Sequence, residues 1–376
     1  MDIKARISKG KLMSKKRVFA IAGAYVAWVM GSGFATGQEI FQFFTSYGYY
    51  SIPMIAITLV GFLLVGTALL GTGFDHKDRL QATPEGESGQ KPFDHFKYFC
   101  GEKLGVVFDW FLPVSMFGGL VILFSGSGAT LEEYYGLNHF VGAVLMASLA
   151  CAAYVLGFER FLKIVSCIGP VIIAFTLTVG IITALRDADH LALVEYYDGA
   201  LSVRQPAPFW WLSALLYISY NLCGGSKYYT ALGASAVTRK EAVCGAIAGS
   251  VALMASVTLI DLAMMTEPSN SLVLGIPTLY LAKRISAVLG ALFSVVLLLG
   301  IFSSCSAMMW TICEKFVVQG TKKSYLFSVG VAAAALLLGL FPFASLIGHI
   351  YTAFGYIGLV FIGCVVKKRI ENRIVK

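Results

Sequence analysis

VAWVMGSGFATGQEIFQFF, residues 26–44, begins and ends as an apolar helix, yet its middle holds Gly31, Gly33 and Gly37 together with Ser32, Thr36, Gln38 and Glu39. Each glycine in a helix interior costs ~1 kcal/mol relative to alanine, and a carboxylate at the bilayer centre costs ~2.5–3.5 kcal/mol on insertion scales. A spanning segment that carries both is read as interrupted for a purpose. Three small residues in a row also suit a close-packing helix face, so a second feature is needed to choose.

That the segment spans a membrane follows from the whole chain. Of its 376 residues 57% are hydrophobic and 13% charged, against about 25% charged in a soluble domain. Ten runs have the ~20 apolar residues that cross a bilayer: 18–46, 51–74, 104–131, 138–157, 162–185, 209–232, 241–266, 281–313, 324–341 and 343–366. With the N-terminus cytoplasmic, the inner segments hold 24 of the 29 Lys and Arg residues and the outer ones four, Lys227 lying within a span. Basic residues mark the cytoplasmic side, so both ends are expected inside, as basic tails over 1–17 and 367–376. The net charge of +8 is thereby assigned to topology beside anionic lipid, and no nucleic-acid partner is expected. The eight cysteines form no CxxC pair, and neither a disulfide framework nor a cofactor is expected.

The second feature is another interrupted span, LLYISYNLCGGSKYYTALG at 215–233, with Asn221, Gly224, Gly225 and Lys227 at its centre. Gly33 and Gly225 lie 192 residues apart, so each break opens a five-span half, 18–185 and 209–366, and the halves have opposite orientation. Paired discontinuous helices in inverted repeats are the sequence signature of a secondary transporter with a midplane site. Non-helical backbone at that depth is tolerated only where it is packed in protein or lines a cavity. Unwound N–H groups there attract an anionic group and unwound carbonyls a cation. The expected substrate-binding residues are Gly31, Ser32, Gly33, Phe34, Tyr220, Asn221, Leu222, Gly224, Gly225 and Lys227. Glu39 is the expected coupling or gating group, with a hydrated outer vestibule as its alternative setting. GSGFATG is GxGxxxG without a preceding strand, so a nucleotide loop is set aside.

These motifs, GSGFATGQEIFQFF, NLCGGS and LLLGIFSSCSAMMW (297–310), resemble those of the YkvI-like membrane proteins. More distantly they resemble the amino acid–polyamine–organocation superfamily with the LeuT fold, including branched-chain amino acid carriers. The resemblance implies an all-α fold of ten transmembrane helices in a 5+5 inverted repeat, with spans one and six broken. It also implies a sodium site, in which Ser303 and Ser304 match a hydroxyl pair on the eighth span. Gly300 supplies a carbonyl there, and Ala27 and Met30 supply the matching carbonyls on the first.

Elsewhere, 124–130 (FSGSGAT) is expected to pack closely against span one, Asp261 to sit at the outer interface, and 267–280 to form a re-entrant or surface helix outside. No HExxH, paired aspartates or Ser/His set supports an enzyme. The expected function is a cell-membrane secondary transporter of a small amino-acid-like or carboxylate-bearing solute, sodium coupled and working by alternating access. The alternatives are proton coupling through Glu39 and a ligand-sensing receptor on a transporter fold. The charge distribution makes a direct prediction. Single cysteines in 186–208 of intact cells should react with an impermeant maleimide and those in 75–103 should not; labelling of 75–103 from outside would overturn the whole topology.

Overall fold

The computed structural model describes residues 13–80, 93–156 and 168–374, and these are helical, with no strand among them. The first apolar run forms three pieces, α1 (Lys15–Val29), α2 (Ser32–Ala35) and α3 (Gln38–Phe43). After α4 (Ser51–Asp75) come α5 (His95–Tyr135), α6 (His139–Leu156) and α7 (Ile168–Arg186). The sixth run is divided into α8 (Trp210–Gly224) and α9 (Ser226–Ala234), followed by α10 (Arg239–Met265) and α11 (Pro277–Ile285). The last three are α12 (Ala287–Phe316), α13 (Lys322–Leu338) and α14 (Thr352–Ile374).

Seven helices among the described residues are long and apolar enough to cross a membrane. The other three expected runs are helical too, but two are broken and α13 has 17 residues, ~25 Å at 1.5 Å per residue. Residues 162–167 of the fifth run lie outside the described residues.

Two sets of helices pack side by side. In one, α1 and α4 lie against α10, while α8 and α9 lie against α4; in the other, α5 packs on α6 and α12, and α13 packs on α5 and α6. α7 joins α10 to α12, and α14 joins α8 to α5. Small residues allow the close approaches, as membrane helices require: a Cβ at Gly128 would lie 2.5 Å from the His139 carbonyl, and one at Gly142 2.6 Å from that of Ser127. The 124–130 run therefore packs its glycines on α6 and Phe343, correcting the expectation that it faces span one. Asp261 is likewise not interfacial. It is 1% exposed and accepts a 2.7 Å hydrogen bond from the Thr45 hydroxyl, because the chain after α3 folds back over α10.

Glu241 holds the opposite end of α10 to α1. Its buried carboxylate completes the capping box with Thr238 and accepts from the Ser14 N–H and the Arg17 Nε, both at 2.8 Å.

Gly37 is the tightest point of the first run. Its φ of +78° is left-handed, a conformation that costs other residues ~1–2 kcal/mol, and a Cβ there would reach the Thr278 Cγ2 at 2.7 Å. At Gly31 the nearest atom to a Cβ is the Ser304 Oγ at 3.9 Å. Gly37→Ala should therefore lower the thermal midpoint in detergent by several degrees while Gly31→Ala leaves it near wild type; equal midpoints would refute this account of the break.

Candidate functional site

The first break is a true gap in the helical ladder. The Met30 N–H reaches the Val26 carbonyl at 2.8 Å, and the next bond is from the Ala35 N–H to the Gly31 carbonyl at 3.1 Å. Met30 has ψ +52° and Gly31 is extended, so the ladder cannot pass through them. The carbonyls from Ala27 to Met30 and the N–H groups from Gly31 to Phe34 are left without helical partners. Further along, Gly37 turns the chain again, and here the loose carbonyls are satisfied from α11. The Thr278 hydroxyl donates to the Ala35 carbonyl, and the Thr278 N–H to that of Thr36 at 3.3 Å. The 267–285 segment is thus built into the bundle, with Thr278, Leu279 and Leu281 buried, rather than lying on its surface.

The second break is milder. Gly225 keeps near-helical angles (φ −84°, ψ −1°); its N–H bonds the Asn221 carbonyl at 3.0 Å, and its carbonyl accepts from the Tyr229 N–H at 2.8 Å. The Asn221 carbonyl is therefore already engaged in the helical ladder, unlike the carbonyls at the first break. Glycine at 225 is needed for space, since a Cβ would lie 2.5 Å from the Trp28 Nε1.

A cavity of ≈130 Å³ lies between the two breaks, walled by α5, α12 and the start of α14. Gly31, Ser32, Gly33, Phe34, Glu39, Tyr220, Asn221, Gly224 and Ser304 of the expected set line it. Leu222 and Gly225 are buried beside it and Lys227 is exposed, so the lysine does not face this cavity: it extends from the far side of α9, whose Tyr228 and Tyr229 pack toward α1. The Ser32 and Ser304 hydroxyls are 3.3 Å apart, and a Cβ on Gly300 would sit 3.7 Å from the Ser32 Cβ. The broken span and α12 thus meet at this level. Ser303 is half-buried and does not line the cavity, Met30 is buried, and Ala27 is on an exposed face.

Glu39 closes one end. It is 3% exposed and not in a hydrated vestibule. Its Oε1 accepts from the Tyr220 hydroxyl, and its place in the first turn of α3 sets it against the positive end of that turn. Tyr220 stacks on Tyr351, with centroids 4.7 Å apart and planes at 12°. A Cβ on Gly33 would lie 3.4 Å from the Tyr351 hydroxyl and 3.6 Å from Glu39 Oε2. No ion pair to Glu39 occurs among the described residues. Tyr351, Phe354, Trp28, Met116 and Met308 complete the walls. Nothing in their local sequence marks them, because aromatic and Met residues are common in any span; Tyr351 ends a π-turn over Ile347–Tyr351 that only the folded chain reveals.

Comparison with known families finds no family model that matches. Among curated proteins, the chain is 24% identical over 368 residues to the uncharacterized membrane protein YkvI of Bacillus subtilis (strain 168), covering 96% of this chain and 98% of that one. The likeness runs from end to end of both chains and, on a helical bundle of membrane-length spans, supports placing this protein in a YkvI-like membrane family.

Proposed function

We propose that the protein is a secondary active transporter of a small amino-acid-like or carboxylate-bearing solute, which binds in the cavity between the two breaks. The observation that carries this is the coincidence, in one buried space, of unpartnered backbone N–H groups at Gly31–Phe34, the Glu39 carboxylate and the Tyr220–Tyr351 pair. The ≈130 Å³ is well above the ~10–15 Å³ that one water needs. The N–H groups suit the carboxylate of a solute, and Glu39 suits an ammonium at its other end.

The 5+5 inverted repeat of LeuT type is supported by the packing. Exchanging each of the ten spans for its counterpart five later turns α1–α10 into α8/α9–α4, α6–α12 into α13–α5, and α7–α12 into α14–α5, and each of these pairs is in contact. Such reciprocity suits alternating access, with one helix set rocking against the other.

Sodium is the proposed coupling ion, held where Ser304 approaches the break beside Ser32. Hydroxyls and unwound carbonyls are the hard oxygens that this cation needs in a bilayer. A specific observation favours a second reading, proton coupling: Glu39 is buried without an ion-pair partner among the described residues.

Two experiments follow. Gly33→Leu should insert and fold but lose solute binding by at least tenfold in a thermal-shift titration, since its side chain fills the space before Tyr351 and Glu39; unchanged affinity would remove the site. In proteoliposomes, counterflow of labelled solute distinguishes transport from sensing. There Ser304→Ala should raise the sodium concentration for half-maximal uptake by about tenfold, equivalent to ~1.4 kcal/mol. Uptake that persists in choline, collapses with the proton gradient and loses its pH dependence in Glu39→Gln would assign coupling to the proton instead.

A further inference from the structure

A second cavity, of ≈490 Å³, opens at the end of the bundle that the charge distribution places inside, among α4, the first turn of α5, α10 and α14. Its chemistry differs from that of the central site. Among the described residues two guanidiniums, Arg239 on α10 and Arg369 on α14, line it with one carboxylate, Asp75. Asp75 engages Arg239 only through Nε, at 3.1 and 3.2 Å, and the Arg239 Nη2 lies over Gly71, where a Cβ would come within 3.3 Å of it. Arg369 is drawn in by the Leu64 carbonyl and by the Thr67 hydroxyl at 2.8 Å. On the rim the Asn372 amide donates to the Tyr98 hydroxyl at 3.1 Å, and Lys368 lies 5.5 Å over the Tyr98 ring.

Among the described residues the remaining polar lining groups are hydroxyls and an amide, so this part of the lining carries more positive charge and more hydrogen-bond donors than carboxylate acceptors. Guanidiniums and hydroxyl donors lining one cavity match the oxygens of a phosphate group, and Arg presents its donors as a planar fork. The volume falls within the ~300–1,000 Å³ of small-ligand sites. The depth argues for lipid. Thr67 lies eight residues before Asp75, ~12 Å along α4, and Ala68, Phe99 and Val243 make that inner wall apolar. The cavity therefore runs from a charged mouth to an oily floor at the level where a phospholipid changes from headgroup to acyl chain. Basic pockets between helices on the cytoplasmic side are where anionic headgroups bind.

We propose that this cavity binds a phosphate group, presented by the headgroup of an anionic phospholipid of the inner leaflet, and that the bound lipid clamps α14 to α4 and α10. The site is independent of what the central cavity carries.

The test is thermal unfolding of the purified full chain in neutral detergent, titrated with phosphatidylglycerol or phosphatidylcholine in mixed micelles, and separately with inorganic phosphate against chloride at equal ionic strength. A ligand that binds only the folded state raises the midpoint according to its concentration over Kd. Phosphatidylglycerol should raise it and phosphatidylcholine should not. The apparent affinity should fall at least tenfold in the Arg239→Gln, Arg369→Gln double variant. It should also fall in Asn372→Glu, which adds a negative charge at the exposed rim and decides the question if the double variant fails to fold. Lys322→Gln with Lys323→Gln, exposed basic residues outside the cavity, should keep the wild-type response. A shift reproduced by inorganic phosphate alone, and lost in the same cavity variants, would keep the phosphate site and change its source to a soluble anion. Equal shifts in every variant, or no shift with either phosphatidylglycerol or phosphate, would overturn the proposal.

Discussion

The structure is organised around one constraint: a helix opened at membrane depth leaves backbone polar groups that water cannot reach. Every such group must be covered by protein or face a cavity built for it. The first span opens twice, and the two gaps are treated differently. At Gly37 the carbonyls of Ala35 and Thr36 are closed by Thr278, and the Thr36 hydroxyl returns to the Gly33 carbonyl at 2.6 Å. At Met30–Gly31 no such patch is made among the described residues, and the cavity lies there. One gap is closed by protein and the other faces the cavity.

The neighbouring elements are arranged to support this difference. α11 is held in place at its start by Glu133 on α5, which accepts from the Gly275 and Ile276 N–H groups at 2.6 and 3.1 Å. The same carboxylate type is used at the other end, where Glu241 gathers Ser14, Arg17 and the α10 cap. Between them α4 and α9 approach through reciprocal glycines, Gly73 on the Thr230 carbonyl and Gly233 on the Leu70 carbonyl. The half-span that follows the second break is thereby fixed to α4, while α1 lies along α10. Charge is placed at helix ends, where it caps and ties, and the two carboxylates buried among the spans, Glu39 and Asp261, each rest on hydroxyl donors, Tyr220 and Thr45. Buried polar side chains without partners include Gln38, one residue before Glu39; its amide sits in the turn that Gly37 creates, and nothing in the structure explains it.

The composition, the apolar runs and the glycine-rich interruptions were legible in the linear chain because each rests on local physics. A run of ~20 apolar residues has few stable places other than a bilayer, and a cluster of glycines weakens whichever helix contains it. Where they are described, the ten runs fall on helices, and both expected interruptions are present, at Met30–Gly31 and Gly225. The severity of each was not legible. Gly225 looks as disruptive as Gly31 in sequence, but its angles stay near-helical, and glycine there makes room for Trp28.

What only the tertiary structure decided is which polar residue faces which space. Glu39 and Lys227 are both charged residues that follow a break, and both are expected to act at the site; folding buries Glu39 beneath Tyr220 and turns Lys227 outward. Ser303 and Ser304 are adjacent, and the rotation of α12 brings only Ser304 to the cavity beside Ser32. Tyr351, 131 residues after Tyr220, becomes its stacking partner. Successive helix residues differ by about 100° in direction, so an error of one position selects another face. Only contacts between distant segments set that angle, and for this reason the sequence by itself determined that the chain spans a membrane and where its helices are interrupted, whereas the fold determined the residues that meet there.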